Sequence, residues 1–382
     1  MAEKGPLSGI TIIDLSRILA GPYCTLLFCE LGARVIKVEP LGGDDARHYG
    51  PFKGGKSTYF SSVNRGKESI ALDLKSPAER AIFERLLEKG DALVENFRPG
   101  TMEKLGYGWE SLHPRYPRLV YAATSGFGHS GPYSRHPAYD MVVQGLGGIM
   151  SITGHPGMPL VRIGTSIGDL AGGLFTALAL NAALLHRERT GEATKVDVAL
   201  FDCQLALLEN AVMRYTVTQE IPGPMGARHP SITPFEAFST KDGHLIIAAG
   251  NDGLFLKLAE ALGRPDLGLD PRFKTNSLRN ENRDALFREI ETVLSGAGRD
   301  HWIEILESAG VPCGPVNTIA EALEHPQVGP RNMLISVEDR ASGTLRLAGN
   351  PMKIEGFFDA PTRSPAPDLD ADRQAILKEL GL

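Results

Sequence analysis

Short apolar runs alternate with helical patterns along the first half of the chain. Five runs rich in β-branched and apolar residues have the length of buried strands, namely TIIDLS (11–16), RVIKVE (34–39), SIALDL (69–74), ALVENF (92–97) and RLVYAAT (118–124). Between them the clearest helical pattern is PAERAIFERLLEKG, where Ser76 can cap the amino end and Gly90 can end the helix. Strands that alternate with helices predict an α/β fold with a mostly parallel, doubly wound sheet.

The pattern changes after about residue 220. A Pro/Gly-rich linker, IPGPMGARHPSITP, precedes a segment, FEAFSTKDGHLIIAAG, that predicts a hairpin turning at Asp242-Gly243. Helical patterns follow at 252–262, 281–295 and 300–309, and the end of the chain holds two strands, LISVED and TLRLAG, and a helix near 370–380. We therefore predict a large domain at 1–220, a linker and small α+β domain at 221–325, and a segment at 326–382 that returns to the large domain.

Composition and charge narrow the function classes. The 382 residues carry a formal net charge of -6, so no global basic field attracts nucleic acid, and a polyanionic ligand must be held by local Lys and Arg. The four cysteines form no C-x-x-C pair, which argues against a zinc site or redox motif and suits a reducing compartment. The start, MAEKGPLSGI, lacks a signal core, and no apolar run approaches a membrane span. We expect a cytoplasmic protein without a membrane or nucleic-acid partner.

A first candidate motif is the G-x-G-x-x-G of Gly126–Gly131, which follows a predicted strand. A dinucleotide site requires a helix to begin there, so that its N–H groups face the pyrophosphate. Pro132 and Pro137 come too soon for that helix. A glycine-rich loop is therefore the preferred interpretation.

A second candidate is the G-x-S-x-G of Gly164–Gly168, which would present Ser166 as the nucleophile of a serine hydrolase. VRIG precedes the motif and a helical pattern follows it, as that fold requires. Histidines occur downstream but none is singled out, and no HGGG-type oxyanion segment lies upstream. The alternative is a small-residue turn that lets a helix pack closely.

A third candidate is Asp169 in GDLAGG (168–173), at the start of an Ala- and Leu-rich helix predicted at Leu170–Arg189. Asp is a common N-cap, so a purely structural role is one interpretation. The other is an anionic nucleophile, which the helix amino end stabilises and keeps ionised at neutral pH. Flanking glycines would let a bulky thioester approach. A carboxylate that attacks a thioester forms a mixed anhydride and releases a thiolate.

Several segments together resemble the class III CoA-transferases, the CaiB/BaiF type that includes formyl-CoA transferase. They are PLSGITIIDLSRILAGP, LGARVIKVEP with GDDAR, SIALDLKSP, LVENFRPGTMEKLG, AYD (138–140), GDLAGG and CGPVNT (313–318). The resemblance runs from about Gly5 to Gly381 and implies that Asp169 is the catalytic nucleophile. It also implies a Rossmann-like large domain built from both chain ends, a small middle domain and an interlocked homodimer.

The resemblance further implies which residues contact coenzyme A. They are Leu19, Ala20, Pro40, Arg47, Leu72, Lys75, Asn96, Phe97, Arg98, Lys104, Tyr139 and Asp140. Pro40 stands where some members have arginine, and Arg47 is expected to compensate. For Lys75 and Lys104, a solvated surface charge is an equally good interpretation.

The family pattern implies a mechanism without a metal or a tightly bound cofactor. Asp169 would pass through an acyl anhydride and an aspartyl-CoA thioester, with backbone N–H groups near a lid stabilising the oxyanion. The glycine run that forms this lid in formyl-CoA transferase has no copy here, and GARHPSITP (226–234) is the expected counterpart.

Three other functions remain as alternatives. The α-methylacyl-CoA racemases share the fold and the aspartate, but pair it with a histidine where this chain has Tyr139, and His136 is three residues away. The Ser166 hydrolase and a CoA-binding protein without turnover are the others.

The acids exchanged are suggested by two further segments. SITPFEAFSTKDG and AAGNDG resemble succinyl-CoA:glutarate transferase, which implies dicarboxylic acids such as succinate, glutarate, itaconate or mesaconate. A second carboxylate needs an arginine partner, and the sequence leaves Arg17, Arg162 and Arg228 open.

Overall fold

The secondary structure was taken from a computed structural model that describes residues 5–382. Up to Thr218 the strands are β1 (Thr11–Asp14), β2 (Arg34–Glu39), β3 (Phe52–Lys53), β4 (Lys56–Ser57), β5 (Glu68–Ala71), β6 (Ala92–Glu95), β7 (Val120–Ser125) and β8 (Lys195–Ala199). The helices in this part are α1 (Ala20–Glu30), α2 (Thr58–Asn64), α3 (Pro77–Lys89), α4 (Thr101–Leu105), α5 (Trp109–Leu112), α6 (Asp140–Leu146), α7 (Ile167–Thr190), α8 (Leu200–Leu207) and α9 (Glu209–Thr218).

The remaining elements fall into two groups along the chain. The first group is β9 (Phe235–Ser239), β10 (His244–Ala248), α10 (Asp252–Ala261), α11 (Pro265–Leu269), α12 (Asn276–Glu281), α13 (Arg283–Leu294), α14 (Arg299–Ser308), β11 (Cys313–Pro315) and α15 (Ile319–Glu324). The second group is β12 (Leu334–Asp339), β13 (Gly343–Ala348), β14 (Thr362–Arg363) and α16 (Arg373–Leu380).

The main sheet has six strands in the order β5-β2-β1-β6-β7-β8, and every neighbouring pair is parallel. The predicted parallel α/β sheet is therefore confirmed. Successive side chains of a strand point to opposite faces of the sheet, so alternate residues pack into two different hydrophobic cores, one on each face. Ile13 packs on one face with α3 and α16, and Ile12 packs on the other with α1 and α7. Strand β8 was not predicted, since KVDVA mixes polar and apolar residues at the edge of the sheet.

The strand order reverses at β1. From β1 the chain moves outward through β2 to β5, and then returns to β6 on the other side of β1. In open α/β sheets, ligands bind beyond the carboxyl ends of the strands at such a reversal. The segments that follow β1 and β6 are therefore the natural place to look for a site.

Helix α7 is 24 residues long, and by length and hydropathy it would be able to cross a membrane. The expectation that no apolar run approaches a membrane span therefore needs correction. Half of the apolar window is buried within the protein, where α7 lies against other helices. A Cβ at Gly173 would come within 2.7 Å of the Ala20 carbonyl oxygen, and one at Gly172 would overlap Leu200. The two glycines therefore allow α1 and α8 to pack closely on α7.

The chain divides into two compact units by its internal contacts. One contains the chain up to Met150 together with Arg162–Ile221 and Pro326–Leu382, and the other contains Ser151–Val161 and Pro222–His325. The sequence-based boundaries lay at 220/221 and 325/326, and they did not separate residues 151–161 from the first unit.

The second unit pairs a small antiparallel sheet with helices α10–α14. The predicted hairpin is confirmed, because β9 and β10 pair with His244 opposite Ser239 and Thr240 N–H donates to the Gly243 carbonyl across the turn. The three predicted helices correspond to α10, α13 and α14. Their apolar faces close a separate core around Phe238, Phe255 and Trp302.

Candidate active site

Arg17 and Asn96 join the two segments that flank the reversal of strand order. Arg17 N–H donates to Asn96 Oδ1 over 2.8 Å, and Asn96 Nδ2 donates back to the Arg17 carbonyl over 2.8 Å. These reciprocal bonds hold the loop after β1 against the loop after β6. Of the sequence-predicted residues, Asn96 thus has a direct role in shaping this edge of the sheet.

A cavity of about 460 Å³ opens beside this pair, at the carboxyl ends of β1, β2, β5 and β6. Four sequence-predicted residues line it, namely Pro40, Leu72, Lys75 and Phe97. Its walls mix apolar side chains with two cations, Arg17 and Lys75, and four acidic residues, Glu39, Asp44, Asp45 and Asp73. The cavity has the position and lining expected of a site for a nucleotide-like ligand.

Three exposed cations lie in the cavity wall or in the segment that follows β6, and they have no ion-pair partners among residues 5–382. They are Lys75, in its wall, Arg98, after β6, and Lys104, next to the wall residue Leu105. A lysine or arginine without an acidic partner is available to a phosphate group. Of the three predicted basic contacts, Lys75 lines the cavity, and Arg98 and Lys104 follow or precede its lining residues Phe97 and Leu105 in the chain.

Arg47, unlike these three cations, is bound to a carboxylate of the protein. Its guanidinium donates to both oxygens of Glu39 over 2.7 Å and lies 3.8 Å from the centre of the Phe60 ring. Although burial of Glu39 opposes it, these hydrogen bonds hold the pKa of Glu39 below its usual range. Arg47 is thus engaged by a buried carboxylate and does not line the cavity. Its position offers no replacement for the arginine that Pro40 lacks.

A buried polar network beneath the loop after β1 was missed by the sequence analysis. Lys67 Nζ lies 3.0 Å from Asp14 Oδ2, and Lys37 Nζ lies 2.9 Å from Asp44 Oδ2, with all four side chains buried. Despite burial, Lys67 and Lys37 lower the pKa of Asp14 to about 2. Asp44 in turn accepts the N–H of Ile18, whose φ of 68° is a left-handed conformation rare for a β-branched residue. No local sequence pattern signals such a network, because its members come from segments that are far apart in the chain.

Asp169 lies in the first turn of α7 and does not cap it. Ser166 holds the N-cap position and Asp169 is the third helical residue. Its side chain is half-buried and accepts no hydrogen bond within residues 5–382. The purely structural N-cap interpretation of Asp169 is therefore wrong. Its carboxylate has no hydrogen-bond partner in the described part of the chain and is available for another role.

Asp140 performs the capping task instead. Its Oδ1 accepts the Gly168 N–H over 2.8 Å, and its Oδ2 accepts Gln144 Nε2 over 2.7 Å. Its neighbour Tyr139 is exposed at the start of α6. Burial raises the pKa of Asp169 to about 7, and the nearby Asp140 carboxylate adds to the rise. The expectation that the helix end alone keeps Asp169 fully ionised at neutral pH therefore needs correction.

The glycines of GDLAGG have a different use from the one predicted. A Cβ at Gly168 would come within 2.8 Å of Val143 and 3.0 Å of Asp140 Oδ1. Gly168, Gly172 and Gly173 are all buried. Other parts of the protein therefore approach α7 closely at these glycines, where a side chain would not fit.

A second cavity of about 420 Å³ adjoins Asp169. Ser166 and Leu170, on either side of Asp169 in α7, line it together with Leu19, Tyr59 and Arg162. The Tyr59 pKa is raised to about 12 by burial and, next, by the charge of Asp169. Leu19 therefore borders the cavity next to Asp169 rather than the one between the strand ends, while Ala20 is buried at the start of α1.

The rival motifs lack the geometry that their chemistry needs. Residues 161–164 form no strand, so Ser166 does not sit on a strand-to-helix elbow, and its hydroxyl bonds to no histidine within residues 5–382. His136 is exposed and contacts the rings of Tyr133 and Phe127. After β7 the next helix begins at Asp140, which confirms that the G-x-G-x-x-G segment is a loop.

Comparison with known proteins identifies the family of this chain. The model of CoA-transferase family III matches residues 7–373. The chain is 47% identical over 378 residues to acetyl-CoA:oxalate CoA-transferase of Acetobacter aceti, covering 98% of this chain and 96% of that one. It is 38% identical over 388 residues to succinyl-CoA:mesaconate CoA-transferase of Haloarcula hispanica, covering 99% and 97%.

A solved structure has the same fold. A CaiB/BaiF family protein from Brucella suis superposes with a TM-score of 0.87 at 39% identity, covering 99% of this chain and all of that one. The parallel sheet with its reversal at β1, the match to the family model over nearly the whole chain, and the identity to two transferases lead to one conclusion. The chain belongs to CoA-transferase family III and is a class III CoA-transferase.

Proposed function

We propose that this enzyme transfers CoA from an acyl-CoA to a small dicarboxylic acid, with Asp169 as the covalent nucleophile. One observation carries the proposal: Asp169 has a half-buried carboxylate without a hydrogen-bond partner among residues 5–382, and Ser166 and Leu170, close to it in the chain, line a cavity. The class of acid is supported by the two relatives, which act on oxalate and mesaconate, both dicarboxylic acids.

The donor half of the reaction consists of two substitutions. An Asp169 oxygen attacks the thioester carbonyl carbon, the carbon–sulfur bond breaks, and CoA leaves as a thiolate with the acyl group held as an anhydride. The thiolate then attacks the Asp169 carbonyl carbon of this anhydride. The donor acid leaves as a carboxylate, and an aspartyl-CoA thioester remains.

The acceptor half reverses these steps. The acceptor carboxylate attacks the aspartyl thioester, which forms a second anhydride and releases the thiolate. The thiolate attacks the acceptor acyl carbon, so that the new acyl-CoA forms and the Asp169 carboxylate is restored. No net proton is consumed, because carboxylate and thiolate exchange roles throughout.

The surroundings of Asp169 favour a role as a nucleophile that attacks the thioester rather than a purely structural role. Burial raises the free energy of the anion, as the pKa of about 7 indicates, and this charge leaves the side chain when the anhydride forms. The amino end of α7 still favours a carboxylate over the neutral acid at this position. At neutral pH a substantial fraction of Asp169 is therefore ionised and poorly solvated, which suits a nucleophile.

The nucleotide end of CoA is assigned to the cavity at the strand ends. Leu72 and Phe97 offer apolar surface there, and Lys75, Arg98 and Lys104 are unpaired cations for the phosphates. The Arg17–Asn96 bridge keeps the floor of this site in place. Arg47 is left out of the assignment because Glu39 engages it.

Trapping the covalent intermediate tests the proposal. Wild-type enzyme incubated with an acyl-CoA and quenched should carry CoA on the peptide that contains Asp169, as read by mass spectrometry. Asp169→Asn should lose both the adduct and all exchange while it stays folded, and Ser166→Ala should keep at least half of the activity.

Other results would point to the other chemistries. Full exchange in Asp169→Asn with loss in Ser166→Ala would replace the transferase mechanism by an acyl-serine one. Deuterium incorporation at the α-carbon of a 2-methylacyl-CoA, without exchange between acids, would indicate a racemase. Bound CoA without either reaction would indicate a binding protein.

A further inference from the structure

The cavity next to Asp169 contains three charged side chains, and two of them are neutralised within the protein. Glu30 Oε1 lies 2.7 Å from Arg65 Nε, and Glu30 Oε2 lies 2.8 Å from Arg363 Nε. Arg65 also donates to the carbonyls of Ser62 and Ala348. Neither Glu30 nor Arg65 is therefore free to bind a charged ligand.

Arg162 is the third charged residue of this lining. Its side chain is exposed, and within residues 5–382 it has neither an ion-pair nor a hydrogen-bond partner. The hydroxyl residues Thr165 and Ser166 line the same cavity. The cavity next to Asp169 thus holds one uncompensated positive charge.

Arg162 lines this cavity, and Asp169 precedes its lining residue Leu170 in the chain. The cavity includes Ser166 and Leu170 on both sides of Asp169, and also Tyr59, whose pKa responds to the charge of Asp169. A molecule in this cavity with one carboxyl group at Asp169 therefore has Arg162 as the available cation for a second anionic group. Leu19 and Leu170 supply apolar surface for the carbon chain between them.

The two other arginines that the sequence left open are already paired. Arg17 Nη1 lies 3.3 Å from Asp45 Oδ2, and Arg17 lines the other cavity. Arg228 lies 2.8 Å from Glu236 and 2.8 Å from Asp284. An arginine that already shares its charge with two carboxylates gains little from a third.

We propose that Arg162 binds the distal carboxylate of the dicarboxylic acid, and so makes the enzyme prefer dicarboxylic over monocarboxylic acids. The inference rests on the proposed function, because it assumes that the near carboxylate reacts at Asp169. Arg162 would then bind the distal carboxylate equally well in the ground state and in the transition state. Its loss should raise KM for a dicarboxylic acid more than it lowers kcat.

A competition between acceptors tests this directly. Succinate and butyrate have the same number of carbons and differ at the distal end, so the enzyme is given both with one donor, acetyl-CoA. With the two acids at equal concentration, the initial ratio of succinyl-CoA to butyryl-CoA formed, read by mass spectrometry, equals the ratio of the two kcat/KM values. Effects on the donor step or on the amount of folded enzyme cancel in this ratio.

Arg162→Gln should lower the succinate-to-butyrate ratio by about tenfold or more, because an arginine–carboxylate pair is lost and butyrate has no distal charge. Arg189→Gln is the matched control. Arg189 is another exposed arginine without a partner among residues 5–382, and it lies at the far end of α7. The ratio in this control should stay within about twofold of wild type.

Reversing the charge at Arg162 gives a second, independent test. Arg162→Glu should move the preference from succinate toward 4-aminobutyrate, which has a cationic distal end. A variant that had merely lost its fold would show no such gain. Arg162→Lys should keep part of the succinate preference, since it retains the charge without the bidentate geometry.

The outcomes separate the inference from the proposed function. Transfer in both wild type and Arg162→Gln with an unchanged succinate-to-butyrate ratio would overturn the role of Arg162 and leave the transferase mechanism intact. Transfer by wild type to none of these acids, or full activity in Asp169→Asn, would overturn the proposed function and with it this inference.

Discussion

Asp140 Oδ1 accepts a hydrogen bond from the Gly168 backbone N–H over 2.8 Å, one residue before the proposed nucleophile. The bond caps α7 from another part of the chain and needs Gly168 to lack a side chain, since a Cβ there would come within 3.0 Å of the same oxygen. It also brings a second carboxylate close to Asp169. The arrangement that positions the helix therefore also raises the pKa of Asp169.

The rate of covalent adduct formation should rise with pH through about 7, because only ionised Asp169 attacks and its pKa is about 7. Asp140→Asn removes the neighbouring charge while keeping an oxygen to accept from Gly168. Its pH–rate profile should therefore have its midpoint at a lower pH than wild type. A stopped-assay profile of kcat/KM between pH 5 and 9 measures this, and an identical midpoint in the variant would contradict it.

Asp169 should also lower the free energy of unfolding in a pH-dependent way. Its pKa is raised from 3.8 to about 7 in the folded protein, so between these values the folded state binds more protons than the unfolded state. The free energy of unfolding should therefore fall, from this group, as pH rises from 4 to 7. Asp169→Asn should lack this decrease and be more stable than wild type at pH 8. Urea unfolding at pH 4.5 and pH 8 gives the comparison, and equal slopes for both proteins would refute the raised pKa.

Gly173→Ala should destabilise the protein by about 1–3 kcal/mol, against the usual gain from Gly to Ala within a helix. The new Cβ would lie 2.7 Å from the Ala20 carbonyl oxygen, and a backbone atom at the start of α1 has little room to move. Gly164→Ala is the control, because a Cβ there meets no atom within 4 Å. Denaturant midpoints of the two variants measure the difference, and a stable Gly173→Ala would show that α1 and α7 can separate freely.

Part of the contribution of Asp44 to stability should depend on the left-handed conformation of Ile18, beside its buried ion pair with Lys37. Asp44→Ala removes the carboxylate that accepts the Ile18 N–H over 3.1 Å, and it should destabilise the protein. In an Ile18→Gly background the same substitution should cost less, because glycine adopts a φ of 68° without strain. A double-mutant cycle by urea unfolding measures the coupling, and independent effects would separate Asp44 from the loop.

The enzyme should sediment as a dimer. Helices α7–α9 expose large apolar side chains, including Leu178 at 67%, Met213 at 63% and Val217 at 73% exposure. Many exposed large apolar side chains on neighbouring helices are typical of an interface. Sedimentation equilibrium at low concentration tests the expectation, with Met213→Lys as the variant that should shift the mass toward the monomer. A wild-type protein that remains monomeric at every concentration would contradict it.

The sequence alone determined the parts of this protein that depend on neighbouring residues. Runs of β-branched residues between helical patterns are sufficient for the parallel sheet, because burial on both faces requires apolar residues throughout each strand. The Asp242-Gly243 turn and helix α3 follow from local conformational preferences in the same way. Asp169 was singled out by its motif and its place before an apolar helix.

Tertiary structure decided what each charged group does. From the sequence, Asp169 fits either a cap or a nucleophile. In the structure Ser166 occupies the N-cap position, and Asp140 accepts the N–H of Gly168, 28 residues away, so the end of α7 does not need Asp169 as a cap. Arg47 and Arg162 look alike in sequence, yet Glu39 engages one and no described residue engages the other. A hydrogen bond or ion pair depends on distances of a few ångströms between residues far apart in the chain, and only the packing of the sheet and its helices sets those distances.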